Sequence, residues 1–340
     1  MKIVFYSRLF FPAQGGSVSI VDQLAEAWTA LGHEVVVITP TVCEGEAHSD
    51  EDSFPYRLQR QADFRALWSS LRDCDVFVSM EVSLKALFPA LLLGKKCIVT
   101  HQTWCWKASE RKKLALARRA QQFVLPLVIQ VPCSEAIGQN WGGRYQVIGN
   151  PYREQLYVNQ GQPRTVDFCF VGRLVADKGV DLFLQALLLQ KEGGWQGRAL
   201  IVGAGPERSA YEQLANELGL AEVVTFTGWQ SPAETVILLN QSRILVVPSR
   251  WEEPFGMVAV EGLACGCRLI VSSGGGLPDA AGLFSPSFEN GNFEELVNAM
   301  TETLELGDLS EEEEKEVKLH LQTFQLRSVA ERYLNLLQPN

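Results

Sequence analysis

The sequence predicts an α/β protein made of two Rossmann-like parallel-sheet halves, and three observations carry that prediction. Short, nearly continuous apolar runs alternate with amphipathic stretches at helical spacing, the pattern of strands covered on both faces by crossover helices. The alternation runs through the first 150 residues, pauses, and restarts near residue 166. The chain has 340 residues, 46% of them apolar and 21% charged, which is more than one core usually takes up and suits two.

In the first half, Lys2–Ser7 reads as a strand and Gly15-Gly16 as the turn that follows it. Val18, Val21, Leu24, Ala25, Trp28 and Leu31 recur at helical spacing until Gly32, and Glu34–Thr39 is the next strand. Residues 41–53 are polar and aperiodic and read as a surface loop. Further strands are predicted at Asp75–Met80, Cys97–His101, Leu127–Pro132 and Tyr145–Ile148. The apolar pattern stops at Asn150-Pro151, and Asn159–Arg164 is a polar Gly/Pro linker, which makes 150–163 a candidate hinge.

The second half predicts strands at Val166–Val171, Ala199–Val202, Val223–Phe226, Ile244–Pro248 and Arg268–Ser272, with helices at Asp181–Leu189 and Ser209–Leu218. The domains expected are therefore 1–155, joined by the C-terminal stretch from about 325 to 340, and 156–324. Halves of this kind bind ligands outside the carboxyl ends of their strands, so two of them facing each other would enclose a cleft.

Composition excludes several classes. The net charge of −10 divides into +2 for residues 1–150 and −12 for the rest, which disfavours a general nucleic-acid binder. The eight cysteines form no CxxC pair, against a disulfide framework or structural zinc, and fit a reducing cytoplasm. No run of eighteen apolar residues occurs, and Met1-Lys2 leads straight into a strand, so neither a membrane span nor a cleaved leader is expected.

Two segments concentrate chemistry. Pro248–Gly266 reads as strand end, turn and helix, with Glu253 in the turn and Glu261 inside the helix. The amides of Gly256, Met257 and Val258 then open a helix, a place suited to a diphosphate or to sugar hydroxyls, and an ionised Glu can only accept from hydroxyls. A capping Glu253 with Glu261 on a solvated face is the plainer reading of the same pattern. Val171–Gly179 follows a strand and offers Arg173 and Lys178, two cations placed to neutralise a leaving diphosphate, or simply two surface cations.

Gly172-Arg173-Leu174 with Lys178-Gly179, Gly203-Ala-Gly205-Pro, Glu253-Pro-Phe-Gly with Glu261, and Ser272-Ser-Gly-Gly275 together resemble the large family of retaining GT-B glycosyltransferases usually called family 4. The resemblance extends over nearly the whole chain. It implies the GT-B fold and a glycosyl transfer from a nucleotide-diphosphate sugar, most often a UDP-hexose, to a saccharide or lipid-linked saccharide. It implies that Glu261 binds the ribose hydroxyls, that Glu253 and the amides of Phe255, Gly256, Met257 and Val258 hold the transferred sugar, and that Arg173 and Lys178 grip the diphosphate. Gly15 and Gly16 match the loop that approaches the phosphates, His101 matches a position facing the reacting sugar, Asn150 matches an interdomain Asn, and the loop at Gly228-Trp229-Gln230 matches the base-selecting loop. A plain tight turn for the glycine pair and a structural role for a lone His are the alternatives. No metal or other cofactor is implied, since cations and a helix N-terminus supply the charge.

Departures from the family pattern are Gly262 after Glu261, Asp279 in place of a Glu, and Gln102-Thr-Trp104 after His101, where relatives have an acidic residue. The first two leave the charges in place and bear on sugar fit, and the third points to altered acceptor recognition. Trp104 and Trp106 are candidate acceptor-stacking residues or core tryptophans. The basic stretch at 107–119 reads as a helix that could lie on the cytoplasmic face of an anionic membrane, or as an ordinary surface helix. Asp73-Cys-Asp75 has the DxD form of metal-dependent transferases but precedes a strand, at the wrong sheet edge for a ligand site. A dehydrogenase is disfavoured because neither glycine cluster has GxGxxG spacing. A silent nucleotide-sugar sensor or scaffold is the remaining alternative.

Overall fold

The computed structural model describes residues 1–13, 15–42, 53–61, 63–105 and 121–338. The chain forms two compact units, Met1–Pro151 with the segment from Leu326 on, and Tyr152–Gln325.

The first unit contains β1 (Lys2–Tyr6), α1 (Gly16–Ala30), β2 (Glu34–Thr39), β3 (Arg57–Arg60), α2 (Phe64–Asp73), β4 (Val76–Met80), α3 (Leu84–Leu92), β5 (Lys96–His101), β6 (Ile129–Pro132) and α4 (Glu135–Trp141). Its six strands are ordered β3-β2-β1-β4-β5-β6 and pair in parallel, Phe5 of β1 lying between Val37 and Val78. One face packs Phe5, Val21, Leu24 and Trp28, and the other Val4, Leu67, Leu87 and Val99. Apolar residues on both faces of one strand are what a doubly covered parallel sheet requires.

The second unit contains β7 (Val166–Val171), α5 (Val180–Glu192), β8 (Ala199–Val202), α6 (Arg208–Glu217), β9 (Val224–Gly228), α7 (Pro232–Asn240), β10 (Ser242–Val247), α8 (Met257–Ala264), β11 (Arg268–Ser272), α9 (Leu277–Ala281), β12 (Ser287–Phe288), α10 (Phe293–Leu306) and α11 (Glu311–Gln322). Its order is β12-β11-β10-β7-β8-β9, again parallel, around a core that includes Phe168, Phe170, Phe183, Ile201 and Ile244. After it, α12 (Leu326–Asn335) returns to the first unit, where Trp28 Nε1 donates to Ala330 O at 3.2 Å and Tyr333 to Thr100 Oγ1 at 2.9 Å.

Two elements and one boundary stand out where the structure departs from the sequence reading. β3 is an edge strand of mostly polar residues whose buried Leu58 gives too little alternation to be seen. Tyr145–Ile148 runs beside β6, with Gln146 N on Gln130 O and Ile148 N on Pro132 O, but makes one isolated bridge and no strand. The unit boundary lies at Pro151, ahead of the polar linker, because Tyr152 N donates to Phe324 O and binds its segment to the second unit. Most of the loop read at 41–53 and all of the basic stretch at 107–119 lie outside the described residues. No described helix is long and apolar enough to cross a membrane.

Candidate functional site

Both sheets reverse their strand order once, between β1 and β4 in the first unit and between β7 and β10 in the second. The crevice outside the carboxyl ends of strands at such a reversal is where open α/β sheets take ligands. In the second unit the loops leaving β7 and β10 are the two motifs singled out from the sequence.

These loops are held by glycines against one another. Gly179 has φ 69°, and a Cβ there would lie 2.0 Å from Pro248 O. A Cβ at Gly203 or Gly205 would lie 1.9 Å from Gly172 O or 2.2 Å from Leu174 O, so the loop after β8 closes backbone to backbone on the loop after β7. Arg250 N and Trp251 N donate to Asp177 O, and the Arg250 guanidinium forks onto the Asp181 carboxylate, which locks the β10 loop to the start of α5.

Within this frame Lys178 Nζ pairs with Glu253 Oε1, which also accepts from Ser249 Oγ at 2.9 Å. Lys178 and Glu253 are 24% and 14% exposed, so the pair is shielded yet reachable. The ammonium has three donors and spends one here, leaving two for a ligand. Arg173 is exposed in the same loop. The backbone of Glu253 is set by Gly275 and Gly276, whose amide donates to Glu253 O at 2.7 Å. Gly256, at φ 106°, then opens α8 with Met257 and Val258 half-buried, while the Phe255 ring is buried edge-on to Phe324 at 5.4 Å. Phe255 therefore offers its main chain to the site, its ring being core.

Glu261 lies one turn into α8 and hydrogen-bonds the Tyr157 hydroxyl, with Arg153 nearby. Burial pushes its carboxyl up to about 7, against the opposing pull of Tyr157 and Arg153. Tyr157 is a residue the sequence reading missed, because it lies in an aperiodic stretch. Trp229 follows β9 and is 69% exposed.

In the first unit Gly15, at φ 149°, caps α1 and Gly16 is its first residue; a Cβ at either would meet open space. His101 ends β5, fully buried and stacked on Trp141 at 4.3 Å. Burial lowers its pKa to about 4, so the imidazole is neutral at pH 7. Asn150 is buried and donates to Gln102 Oε1 at 2.8 Å. Trp104 is half-buried, and Trp106 lies outside the described residues. Asp75 Oδ2 accepts from Lys2 N at 2.7 Å at the amino edge of the sheet, a structural use of the DxD-like pair. Among the described residues no three His, Cys, Asp or Glu side chains gather as a metal site, and the described cysteines are buried.

Comparison with known proteins places this geometry. Residues 156–319, almost all of the second unit, match the family model of glycosyl transferases group 1. The D-inositol 3-phosphate glycosyltransferase of Mycobacterium ulcerans is 37% identical over 135 residues, 38% of this chain and 28% of that protein. The chain thus spans under a third of the length of the curated relatives it matches. Among solved structures, Anabaena HepE in complex with UDP superposes over 99% of both chains with a TM-score of 0.81 at 17% identity. Sucrose-phosphate synthase of Thermosynechococcus elongatus superposes over 99% of this chain and 98% of that one, with a TM-score of 0.70 at 20% identity. The fold is GT-B, with two Rossmann-like domains. Residues 156–319 are thus similar to glycosyl transferases group 1, and the solved neighbours show the fold.

Proposed function

We propose that this chain is a metal-independent, retaining hexosyltransferase that takes the sugar of a nucleotide diphosphate, UDP-glucose or a close relative, to a saccharide or lipid-linked saccharide acceptor. It would work in glycoconjugate synthesis in the cytoplasm or on the cytoplasmic face of a membrane. The observation that supports this best is the loop pair at the strand reversal of the second unit, where Lys178 is tied to Glu253 beside an exposed Arg173 and the amino end of α8. Solved neighbours of the same fold carry UDP and UDP-glucose.

In this reading Arg173, Lys178 and the α8 amides stabilise the diphosphate as its charge develops, the step at which preorganised donors contribute most. Glu261, oriented by Tyr157, accepts the ribose hydroxyls, and Trp229 flanks the base. Glu253 Oε1 is already engaged by Lys178 and Ser249. It therefore suits holding a sugar hydroxyl better than attacking the anomeric carbon, and the departing phosphate takes the acceptor's proton on the same face. In the first unit the open backbone at Gly15 and Gly16 admits a ligand oxygen.

The test is thermal stability in EDTA with UDP, GDP, ADP and TDP. Ligand at a hundred times its Kd stabilises by about 2.7 kcal/mol. One diphosphate is expected to raise Tm in wild type but not in Glu261→Ala, and Lys178→Ala should cut transfer at least about a hundredfold. No shift with any nucleotide, or a shift that vanishes in EDTA, would refute the donor chemistry proposed.

A further inference from the structure

Glu81 follows β4 directly, at the carboxyl end of a strand that forms the order reversal of the first sheet. Its backbone is left-handed at φ 62°, a conformation crowded for any residue with a β-carbon. Glu81 N on Thr100 O at 2.9 Å and Ser79 Oγ on Glu81 O at 2.7 Å hold it there. The turn sends the side chain across to the end of β5, where Oε1 accepts from Gln102 N at 2.6 Å and Thr103 Oγ1 at 3.2 Å.

The other oxygen, Oε2, faces His101 Nδ1 at 4.0 Å, beyond hydrogen-bond reach, and the side chain is 30% exposed. His101 behind it is wholly buried, and the Gln130 side chain, like Glu81, is a polar group against its ring. Among the described residues no Lys or Arg pairs with this carboxylate. An imidazole has two ring nitrogens, so a single side-chain partner leaves one to be satisfied from elsewhere. The Glu81 carboxylate beside it, 30% exposed, offers hydrogen-bond acceptors and repels anions.

We propose that Glu81, with His101 behind it, binds neutral hydroxyls of the molecule that receives the sugar and rejects phosphorylated or carboxylated ones. The inference rests on the transferase reading above and names its acceptor class. Burial raises the Glu81 carboxyl to about 7 against the pull of Gln102 and Thr103, and His101 is the titratable group that faces it. The ionised, better-accepting form therefore grows in as pH rises through that value.

The experiment uses the full chain with UDP-glucose as donor and glucose, 4-nitrophenyl glucoside and glucose 6-phosphate as acceptor probes, with UDP binding followed separately by thermal shift. Wild type is expected to transfer to the neutral probes and to discriminate at least about tenfold against the phosphate. Glu81→Gln keeps an acceptor for Gln102 and Thr103 but cannot ionise. It should raise the acceptor KM about tenfold, leave UDP binding unchanged, and abolish the rise of kcat/KM through about pH 7. A merely structural Glu81 would leave the profile of Glu81→Gln like that of wild type. That result, a preference for the phosphorylated probe, or UDP binding with neither transfer to nor NMR-detected binding of a neutral probe, overturns the proposal alone. Failure of any nucleotide to bind overturns the transferase reading and this proposal with it.

Discussion

Glu261 shows how one side chain's surroundings set its chemistry. Its carboxyl, ordinarily near 4.5, is held at about 7 chiefly by burial. Between those values the folded chain keeps a proton that the unfolded chain has released, so this group makes stability fall as pH rises through the window and adds no further dependence above it. Glu261→Gln removes the linkage. The Tm difference between Glu261→Gln and wild type should move in the variant's favour from about pH 5 to about pH 8, read by calorimetry at both. A difference independent of pH would show that the carboxyl titrates normally. The motif made Glu261 visible in the sequence, but Tyr157, about a hundred residues earlier, was not, because no local pattern announces a hydrogen bond between distant segments. Glu81 escaped for a related reason: left-handed backbone at a non-glycine residue has no signature in the sequence.

At the scale of elements, glycines do two different things, and substitution separates them. In the second unit Gly205 is required by its own fold, since a Cβ would meet Leu174 O at 2.2 Å. Gly205→Ala should therefore destabilise by about 2 kcal/mol or more, because backbone cannot step aside as a side chain can. In the first unit Gly16 opens α1 onto empty space. Gly16→Ala should leave stability within about 0.5 kcal/mol of wild type or raise it, alanine being the better helix former. If that backbone takes a ligand's phosphate oxygen, transfer should nevertheless fall at least about tenfold. Denaturant titration and transfer assays on both variants check the contrast. Unchanged transfer in Gly16→Ala would assign that glycine to the turn alone.

Over the whole molecule, the chain's end completes its beginning. α12 buries Val329, Ala330 and Tyr333 in the first unit's core, where Trp28 and Tyr333 meet edge-on at 5.9 Å. Deleting the segment from Leu326 on should expose Trp28, shift its fluorescence to the red, and unfold or strongly destabilise the first unit. By contrast Tyr333→Phe should cost only about 1 kcal/mol, the net value of its bond to Thr100. A truncated chain with native tryptophan emission would show that α12 is dispensable to that core.

The sequence by itself determined the two parallel α/β halves and the loops that could hold chemistry, because both are written locally. Apolar periodicity specifies strands and helices over five to fifteen residues, and the glycine and charge spacing of 172–179 and 253–261 lies within single loops. Tertiary structure alone decided which of these groups meet. Lys178 and Glu253 are neighbours only because β7 and β10 pair, and Glu81 reaches the end of β5 only because β4 and β5 do. The edge strand β3 depends in the same way on β2 as its template. Strand pairing joins residues far apart in the chain through backbone hydrogen bonds that carry no side-chain code, so the partners of a site become known once the sheet order is.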